Sequence, residues 1–375
     1  MGFMPKERVA GVRPLAELSV QDVIRLLGPF GATDSARYPV RTAALSYWTH
    51  DVQGEPVKAS GLLAVPVGRD DDLDVVVFHH GTTVEKREAP STPTYLVTQL
   101  LAPLFASCGL VLVAPDYVGL GADASGRHPY LHAASEVTAS LDMLHAAREA
   151  STNRFDVRWS PRLFLTGFSQ GGQATLALQR ELEAADERVF EVVASAPVAG
   201  PYNLSSITAP TAFRRPGANT SLYLAYLLTA YQEFYGIYEN AAAVFLPPYD
   251  RIVDELFDGL HSSEQVHAAL PTAPNELVRG DWWQSATGDG AHAFFRALRE
   301  NDTDDFAPRA PVRIYVGTAD EDVPPENAFA IERTFKLRGS VSEVVDLGPL
   351  NHELTAFAAF PLVRTWFDEL AAAIR

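Results

Sequence analysis

The chain contains a single Gly-x-Ser-x-Gly pattern, in the stretch LTGFSQGG, with Ser169 at its centre. A serine at this position of the pattern is suited to attack a carbonyl carbon. A chain of this length matches the pattern by chance about one time in ten, so the flanking segments must decide. An apolar run typical of a buried strand, RLFLTG, precedes the serine, and a helix-forming run, GGQATLALQRELE, follows it. This strand–turn–helix setting predicts that Ser169 is a nucleophile on a strained turn.

The glycines around Ser169 have a physical reason under this interpretation. In a turn this tight, side chains two residues before and after the serine would collide, so Gly167 and Gly171 are needed. Gly172 would let the following helix pack closely. The alternative is a glycine-rich phosphate loop. It is disfavoured because neither a Lys-Ser/Thr pair nor a Gly-x-Gly-x-x-Gly follows.

A serine needs a histidine to accept its proton and an acid to orient that histidine. His352, in GPLNHELT, follows the last predicted strand and should therefore lie at the same sheet edge as Ser169. The acid should follow an earlier strand, and VRIYVGTADEDVP offers Asp320 and Asp322. We favour Asp320 because it is closer to the strand end, whereas Asp322 could instead cap the helix that begins near Pro325.

Acyl chemistry also needs hydrogen-bond donors for the negatively charged oxygen of the intermediate. One is expected from the amide that follows the nucleophile, here Gln170, and the other from the loop FHHGTT after an earlier strand, where Thr82 is the candidate. His79 and His80 in this loop are not predicted to bind a metal, because neighbouring strand residues point to opposite faces. His80 is predicted to buttress the loop instead, and we expect neither a metal nor a cofactor.

The elements that must position these residues alternate between buried strands and helices of ten or more residues. Such alternation predicts βαβ units and a mostly parallel sheet, an α/β fold. Before them, TAALSYWTHD and KASGLLAVPV are joined by a turn with Gly54 and Pro56, which predicts an antiparallel pair.

The alternation stops between about residues 203 and 305, where the sequence is helical and rich in aromatic residues. We predict a helical cap at 203–305, inserted into an α/β core made of 1–202 and 306–375. Most of the cap aromatics should pack the cap onto the core, and a few should line an apolar pocket that sets the acyl or alcohol preference. They are Tyr223, Tyr226, Tyr231, Phe234, Tyr235, Tyr238, Trp282 and Trp283.

Composition excludes several functional classes. The 375 residues carry a net charge of −17, so a nucleic acid or an anionic membrane surface is an unlikely partner. No apolar run is long enough to span a membrane, and the first residues lack the apolar centre of a signal peptide. We therefore expect a cytoplasmic protein, or a secreted one whose signal has been removed. The oligomeric state stays open.

Several further residues have less specific interpretations. Cys108 is the one cysteine, which rules out an internal disulfide, and it is predicted to be a small buried residue. Asp116 and Tyr117, in PDYVGLG, either shape the pocket or hold a turn. The other histidines, such as His128 and His132, have no predicted partner and are expected mostly at the surface or on helices.

Taken together, HHGTT, GFSQG, GTADEDVP and NHE resemble, in order, the α/β-hydrolase fold family. More narrowly, HHGTTVEKREAPST, APDYVGLGADASGRHPYL and TGFSQGGQAT are similar to the secretory-lipase branch, of the yeast lipase A type. The resemblance covers about residues 45–370. It implies a capped carboxylesterase or lipase that works through an acyl-enzyme, with Ser169, Asp320 and His352 as the triad and Gln170 as one oxyanion donor. The chain departs from the branch in that no signal peptide is predicted at its N-terminus and no cysteine pairs are available.

The expected substrate is therefore a small or lipid-like ester. The same triad serves amidases and acyltransferases, so these remain alternatives. A hydrolase fold that only binds a ligand is a further alternative.

Overall fold

A computed structural model of the protein describes residues 7–185, 189–288 and 290–374. Within them, one mixed sheet has the strand order β1-β2-β3-β5-β4-β6-β7-β8-β9. The strands are β1 (Val9–Leu18), β2 (Val40–His50), β3 (Pro56–Pro66), β4 (Leu73–His79), β5 (Val111–Pro115), β6 (Trp159–Phe168), β7 (Glu191–Val198), β8 (Val312–Val316) and β9 (Ser342–Asp346). Strands β1, β2, β3 and β5 pair antiparallel in turn, and the pairs from β5 through β4 to β9 are parallel.

This sheet confirms the predicted α/β fold, including the β2–β3 pair. Strand β1 is not predicted from the sequence. It is an edge strand that contains Gly11 and Pro14 and is mostly half-buried or exposed, so it lacks the continuous apolar run of a central strand. The described part of the N-terminus begins at Glu7, so the first six residues of the stretch in which no signal peptide is predicted lie outside the described ranges.

Helices cover both faces of the sheet. In chain order they are α1 (Val20–Leu27), α2 (Ala102–Ala106), α3 (Ala133–Phe155), α4 (Gln170–Ala184), α5 (Ala209–Ala212), α6 (Thr220–Tyr235), α7 (Val253–Leu256), α8 (Ser263–Ala269), α9 (Pro274–Leu277), α10 (Gly280–Gly288), α11 (Ala293–Glu300), α12 (Glu326–Leu337) and α13 (His352–Ile374). Short π-helical turns at Val97–Leu101 and Leu204–Thr208 precede α2 and α5.

Alternate residues of each central strand enter different cores. On one face, Val76 and Phe78 of β4 pack with α1, α2 and α13. On the other, Val75 and Val77 pack with α3 and α4. Cys108 is buried in the first of these cores, as predicted from the sequence. A sheet buried on both faces explains why its parallel strands are continuous apolar runs.

The segment between β7 and β8 holds helices α5 to α11 and has its own apolar cluster, which includes Tyr226, Tyr231 and Trp283. Among the described residues of this segment, the β-pairing is a single bridge between Phe245 and Val278. The cluster also takes in Val84, Tyr130 and Leu131 from loops at the carboxyl ends of the core strands. The insertion therefore sits over the sheet edge where Ser169 is expected. Its boundaries as a cap, 203–305, remain a prediction.

Candidate active site

Ser169 lies between β6 and α4 with φ 57° and ψ −120°, a backbone conformation that is strained for a residue with a side chain. The turn is anchored because the Ser169 amide donates to the carbonyl of Val198 at 2.9 Å. A Cβ on Gly167 would lie 2.2 Å from the carbonyl oxygen of Gly171, and a Cβ on Gly171 would lie 2.0 Å from that of His79. Both glycines are therefore sterically required, as the sequence predicts.

The structure brings Ser169, His352 and Asp320 together. Ser169 Oγ lies 2.9 Å from His352 Nε2, and His352 Nδ1 lies 2.7 Å from Asp320 Oδ2. Since Nδ1–H donates to the carboxylate, Nε2 is the acceptor, and the serine hydroxyl donates to it. Ser169 is only 5% exposed, and the other two side chains are buried as well. The ring of Phe168 packs on the imidazole at 4.5 Å between centroids.

Backbone bonds tie the Asp320 loop to the His352 loop. The amides of Thr318 and Ala319 donate to the carbonyls of Gly348 and Leu350, at 2.8 and 3.2 Å. Gly317, in GTAD, allows this approach, because a Cβ there would lie 2.1 Å from the Thr355 hydroxyl. The second oxygen of the Asp320 carboxylate accepts from the amides of Asp322 and Val323, each at 2.9 Å. These bonds fix the orientation of the carboxylate.

Asp322 is placed differently from Asp320. Its carboxylate accepts from the side-chain amide of Asn219 at 2.7 Å. The expectation that Asp322 caps the following helix is wrong, because Pro325 is the N-cap of α12 and no side chain caps it. The turn that brings Asp320 Oδ1 to two backbone amides leaves Asp322 facing the insertion instead.

Of the predicted oxyanion donors, Gln170 follows Ser169 in the chain, and Thr82 lines the same cavity as Ser169. Gln170 is the first residue of α4, where a backbone N–H has no partner within the helix. Within the described residues, neither the Thr82 nor the Gln170 amide donates to a protein acceptor. The Thr82 hydroxyl is 2.9 Å from the hydroxyl of Tyr130. Two unpaired amides next to a nucleophile are suited to stabilise an oxyanion.

His79 and His80 are both completely buried. Burial lowers the pKa of His79 to about 3 and that of His80 to about 4, so both rings are neutral. His80 contacts the carbonyl oxygens of Gly81 and Asp116 at 2.7 and 3.2 Å, which places it as a support of the Gly81–Thr82 loop. Among the described residues, no cluster of three or more His, Cys, Asp or Glu side chains is arranged to hold a metal ion.

A buried polar group that the sequence does not predict lies behind Gln170. The side-chain amide of Gln170 donates to His128 Nε2 at 2.8 Å and to Glu136 Oε1 at 2.7 Å. His128 donates its Nδ1–H to the carbonyl of Val118 at 2.8 Å, which leaves Nε2 as an acceptor. Burial lowers the pKa of His128 to about 3 and raises the pKa of Glu136 to about 8. A neutral imidazole and a protonated carboxyl therefore hold the side chain of Gln170.

The sequence predicts that most of the other histidines lie at the surface or on helices, but His128 and His132 do not. They are buried in the loop before α3, where the His132 ring accepts from the Ser135 amide and caps the helix. A sequence signal for Glu136 does exist. The residue lies on the same face of α3 as Ser140 and Met143, both buried, so helical periodicity places this carboxyl inside.

Asp116 and Tyr117 hold a turn and do not line either cavity described below. Asp116 accepts from the Ser60 hydroxyl at 2.6 Å and from the Ser91 amide at 2.8 Å. Tyr117 packs its ring against His80 at 4.4 Å between centroids and donates to the His80 carbonyl at 3.2 Å. Of the two roles that the sequence leaves open, the structure supports the structural one.

Two cavities meet at Ser169. The larger, about 320 Å³, is lined by the α1 region, the 95–104 segment and α13. The smaller, about 70 Å³, lies under the insertion. Of the eight aromatic residues predicted to pack the cap or line the pocket, all of them described, Tyr223 alone lines either cavity. Tyr223 is thus the one predicted cap aromatic in the wall of the larger cavity, and the other residues that line this cavity lie outside 203–305.

No protein-family model and no curated protein matches the sequence. Solved structures do. A candidate hydrolase from Legionella pneumophila is 26% identical with a TM-score of 0.90, covering 97% of this chain and 98% of its own. The rice cell wall degrading esterase LipA from Xanthomonas oryzae is 28% identical with a TM-score of 0.87, covering 96% and 97%.

Lipase A from Candida antarctica is 16% identical with a TM-score of 0.64, covering 93% of this chain and 78% of its own, and this likeness concerns the fold alone. No helix in the described ranges has the length and apolarity to cross a bilayer. The sheet order, the strand–turn–helix at Ser169 and these neighbours agree, and the protein has an α/β-hydrolase fold similar to that of a solved hydrolase and a solved esterase.

Proposed function

We propose that the protein is a serine hydrolase that cleaves carboxylic esters through an acyl-enzyme. The observation that carries the proposal is the chain of contacts from Ser169 Oγ to His352 Nε2 at 2.9 Å and from His352 Nδ1 to Asp320 Oδ2 at 2.7 Å. It is supported by the position of Ser169 at the N-terminus of the 15-residue helix α4, where the helix dipole favours developing negative charge.

The proposed reaction has two halves. Ser169 Oγ attacks the ester carbonyl while His352 Nε2 takes its proton, and the amides of Thr82 and Gln170 hold the oxyanion. His352 then gives the proton to the leaving alcohol oxygen, which leaves the acyl group on Ser169. A water molecule, activated by the same imidazole, releases the acid and restores the serine. Asp320 orients the ring and stabilises its charged form throughout.

The substrate class follows from the surroundings of Ser169. The larger cavity has mostly apolar walls, which suits a small or lipid-like ester. The insertion at 203–305 acts as a cap in this proposal, because Tyr223 and the α5 region close the site from above. The hydrolase and esterase names of the structural neighbours from Legionella pneumophila and Xanthomonas oryzae support ester hydrolysis in general.

A fluorophosphonate probe tests the nucleophile. The native protein should be labelled at Ser169, and Ser169→Ala should abolish labelling and lower kcat on p-nitrophenyl acetate by about 10³-fold or more. Ser195→Ala is a matched control, since Ser195 is another fully buried serine, on β7, and its replacement should leave labelling in place. Folded protein that stays unlabelled would favour a non-catalytic binding protein.

Amide hydrolysis and acyl transfer use the same groups and are separated by substrate. Matched p-nitrophenyl esters and p-nitroanilides should differ by at least about 10²-fold in kcat/KM in favour of the ester. Equal rates would make the protein an amidase. If the acyl group is transferred to an added alcohol in preference to water, the protein is an acyltransferase.

A further inference from the structure

Ser169 and Tyr223 line both cavities, so the two spaces meet at the nucleophile and share the Tyr223 side chain as a wall. The larger cavity, about 320 Å³, is more than four times the volume of the smaller, about 70 Å³. An ester has two arms joined at the carbonyl carbon, the carbon chain of the acid (the acyl arm) and the group of the alcohol (the alcohol arm). Each arm must therefore leave the reacting carbon toward one of these spaces.

The larger cavity is an apolar channel that opens to solvent. Phe78, Leu104 and Phe360 form part of its inner wall and are buried. Phe30, Leu96 and Phe357 also line it, yet they are 43%, 48% and 44% exposed, so they lie where the channel opens. Phe30 and Phe357 stack with 6.1 Å between ring centroids. A long apolar chain fits this space.

The smaller cavity lies under the insertion, and several polar side chains are among the residues that line it. Thr208, Arg215 and Asp322 contribute to it, together with Gln170 and Ala212. On the scale in which one water occupies about 10–15 Å³, it holds about five water-sized groups. That is enough for a short carbon chain of roughly four carbons and too little for a long one.

Proton transfer decides which arm occupies which cavity. His352 must give its proton from Nε2 to the leaving alcohol oxygen, which therefore has to lie within hydrogen-bond reach of that atom. His352 lines the larger cavity and does not line the smaller. Of the two proposed oxyanion donors, Gln170 lines the smaller cavity and Thr82 the larger, so the position of His352 is what distinguishes the two arms. The alcohol arm is thus directed into the larger cavity and the acyl arm into the smaller.

We propose that the protein prefers esters of short acids, up to about four carbons, with large apolar alcohols, and that the space between α1, residues 95–104 and α13 is the alcohol site. This inference rests on the proposed esterase function. Each methylene that enters an apolar wall is worth about fourfold in kcat/KM, from a burial free energy of about 0.8 kcal/mol.

Two isomeric esters provide the test. Octyl acetate and ethyl octanoate contain the same atoms and differ only in which arm is long. The wild-type protein, assayed below the solubility limit of both esters, should hydrolyse octyl acetate with a kcat/KM at least about tenfold higher. A ratio near one, or a ratio that favours ethyl octanoate, overturns the assignment.

A matched pair of variants locates the two arms. Ala356 lines the larger cavity and Ala212 the smaller. Ala356→Phe should lower the ratio of octyl acetate to ethyl acetate turnover by at least about tenfold. Ala212→Phe should instead lower the ratio of ethyl butanoate to ethyl acetate. Each ratio is measured within one protein sample, so a loss of folded protein cancels.

The outcomes separate the two proposals. If Ser169 is not labelled by fluorophosphonate and neither isomer is hydrolysed, the proposed function fails. If both isomers are hydrolysed but ethyl octanoate is preferred, or if Ala356→Phe impairs ethyl octanoate instead, the function stands and the assignment of the arms is wrong. Should either variant not fold, the isomer ratio of the wild-type protein still decides.

Discussion

Replacing Glu136 by glutamine should remove a pH dependence from the stability of the protein. The Glu136 carboxyl is completely buried, and burial raises its pKa from 4.5 to about 8. The native state therefore keeps this proton up to about pH 8, whereas the unfolded chain releases it near pH 4.5. In the window between, the native state binds one proton more than the unfolded state.

The size of the effect follows from this difference in bound protons. The free energy of unfolding should fall by about 1.4 kcal/mol for each pH unit through the window, because one extra proton is bound by the native state. The stabilisation is fully present below about pH 4.5 and is lost as the pH rises through about 8. Summed over the window, the loss is roughly 5 kcal/mol, a large share of the stability of an ordinary domain.

Urea unfolding followed by tryptophan fluorescence at pH 5.5, 6.5, 7.5 and 8.5 measures this slope. The difference between wild type and Glu136→Gln removes the contributions of all other titrating groups. It should change in favour of the variant by about 1.4 kcal/mol per pH unit at the lower pH values and by about half of that between pH 7.5 and 8.5, where the native carboxyl itself begins to ionise. The side-chain hydrogen bond from Gln170 lowers the pKa of Glu136. Gln170→Met, which keeps the carboxyl, should therefore retain the slope and extend it to higher pH. A difference between wild type and Glu136→Gln that stays constant from pH 5.5 to 8.5 would show that Glu136 does not change its proton on unfolding.

Two further comparisons test the geometry of the site. Asp320→Asn should lower kcat by about 10³-fold or more, whereas Asp322→Asn should cost less than about tenfold, since Asp320 holds His352 and Asp322 holds Asn219; steady-state kinetics with the reverse order would move the acid to Asp322. Gly171→Ala should lower the free energy of unfolding by more than about 2 kcal/mol, because the added Cβ would meet a backbone carbonyl at 2.0 Å. Gly280→Ala, with open space around it, should stay within about 0.5 kcal/mol in the same denaturation assay, and equal effects of the two would refute the steric argument.

The parts of the site that the sequence predicts are those governed by local rules. The turn at Ser169 needs glycines at fixed offsets, and the strand before it and the helix after it have clear apolar patterns. This turn can therefore be located from a dozen residues. Asp320 and His352 follow strands, and the carboxyl ends of parallel strands share one sheet edge. Their meeting therefore follows from topology before any contact is known. The choice between Asp320 and Asp322 is less determined, since it depends on which carboxylate receives the two loop amides.

The larger cavity escapes prediction for a different reason. Its walls come from residues 27–32, 95–104 and 356–361, which are far apart in the chain, and their side chains are ordinary Leu, Phe and Ala. The sequence instead points to the aromatic-rich segment 203–305 as the source of pocket residues, but aromatic residues at helical spacing indicate mainly packing. Tyr226 and Tyr231 are buried in the cluster of the insertion. Burial of such side chains stabilises the insertion whatever the substrate is.

The buried polar group behind Gln170, formed by His128 and Glu136, also has a part in the proposed function. In the proposed mechanism the backbone amide of Gln170 points at the oxyanion, and its direction depends on how the first turn of α4 is held. That turn is held by the strained Ser169 on one side and by His128 and Glu136 on the other. A charged imidazole could not accept from the Gln170 amide, and burial keeps His128 neutral by lowering its pKa to about 3. Burial thus costs stability at high pH through Glu136, while it keeps His128 in the protonation state that holds the nucleophile turn in place.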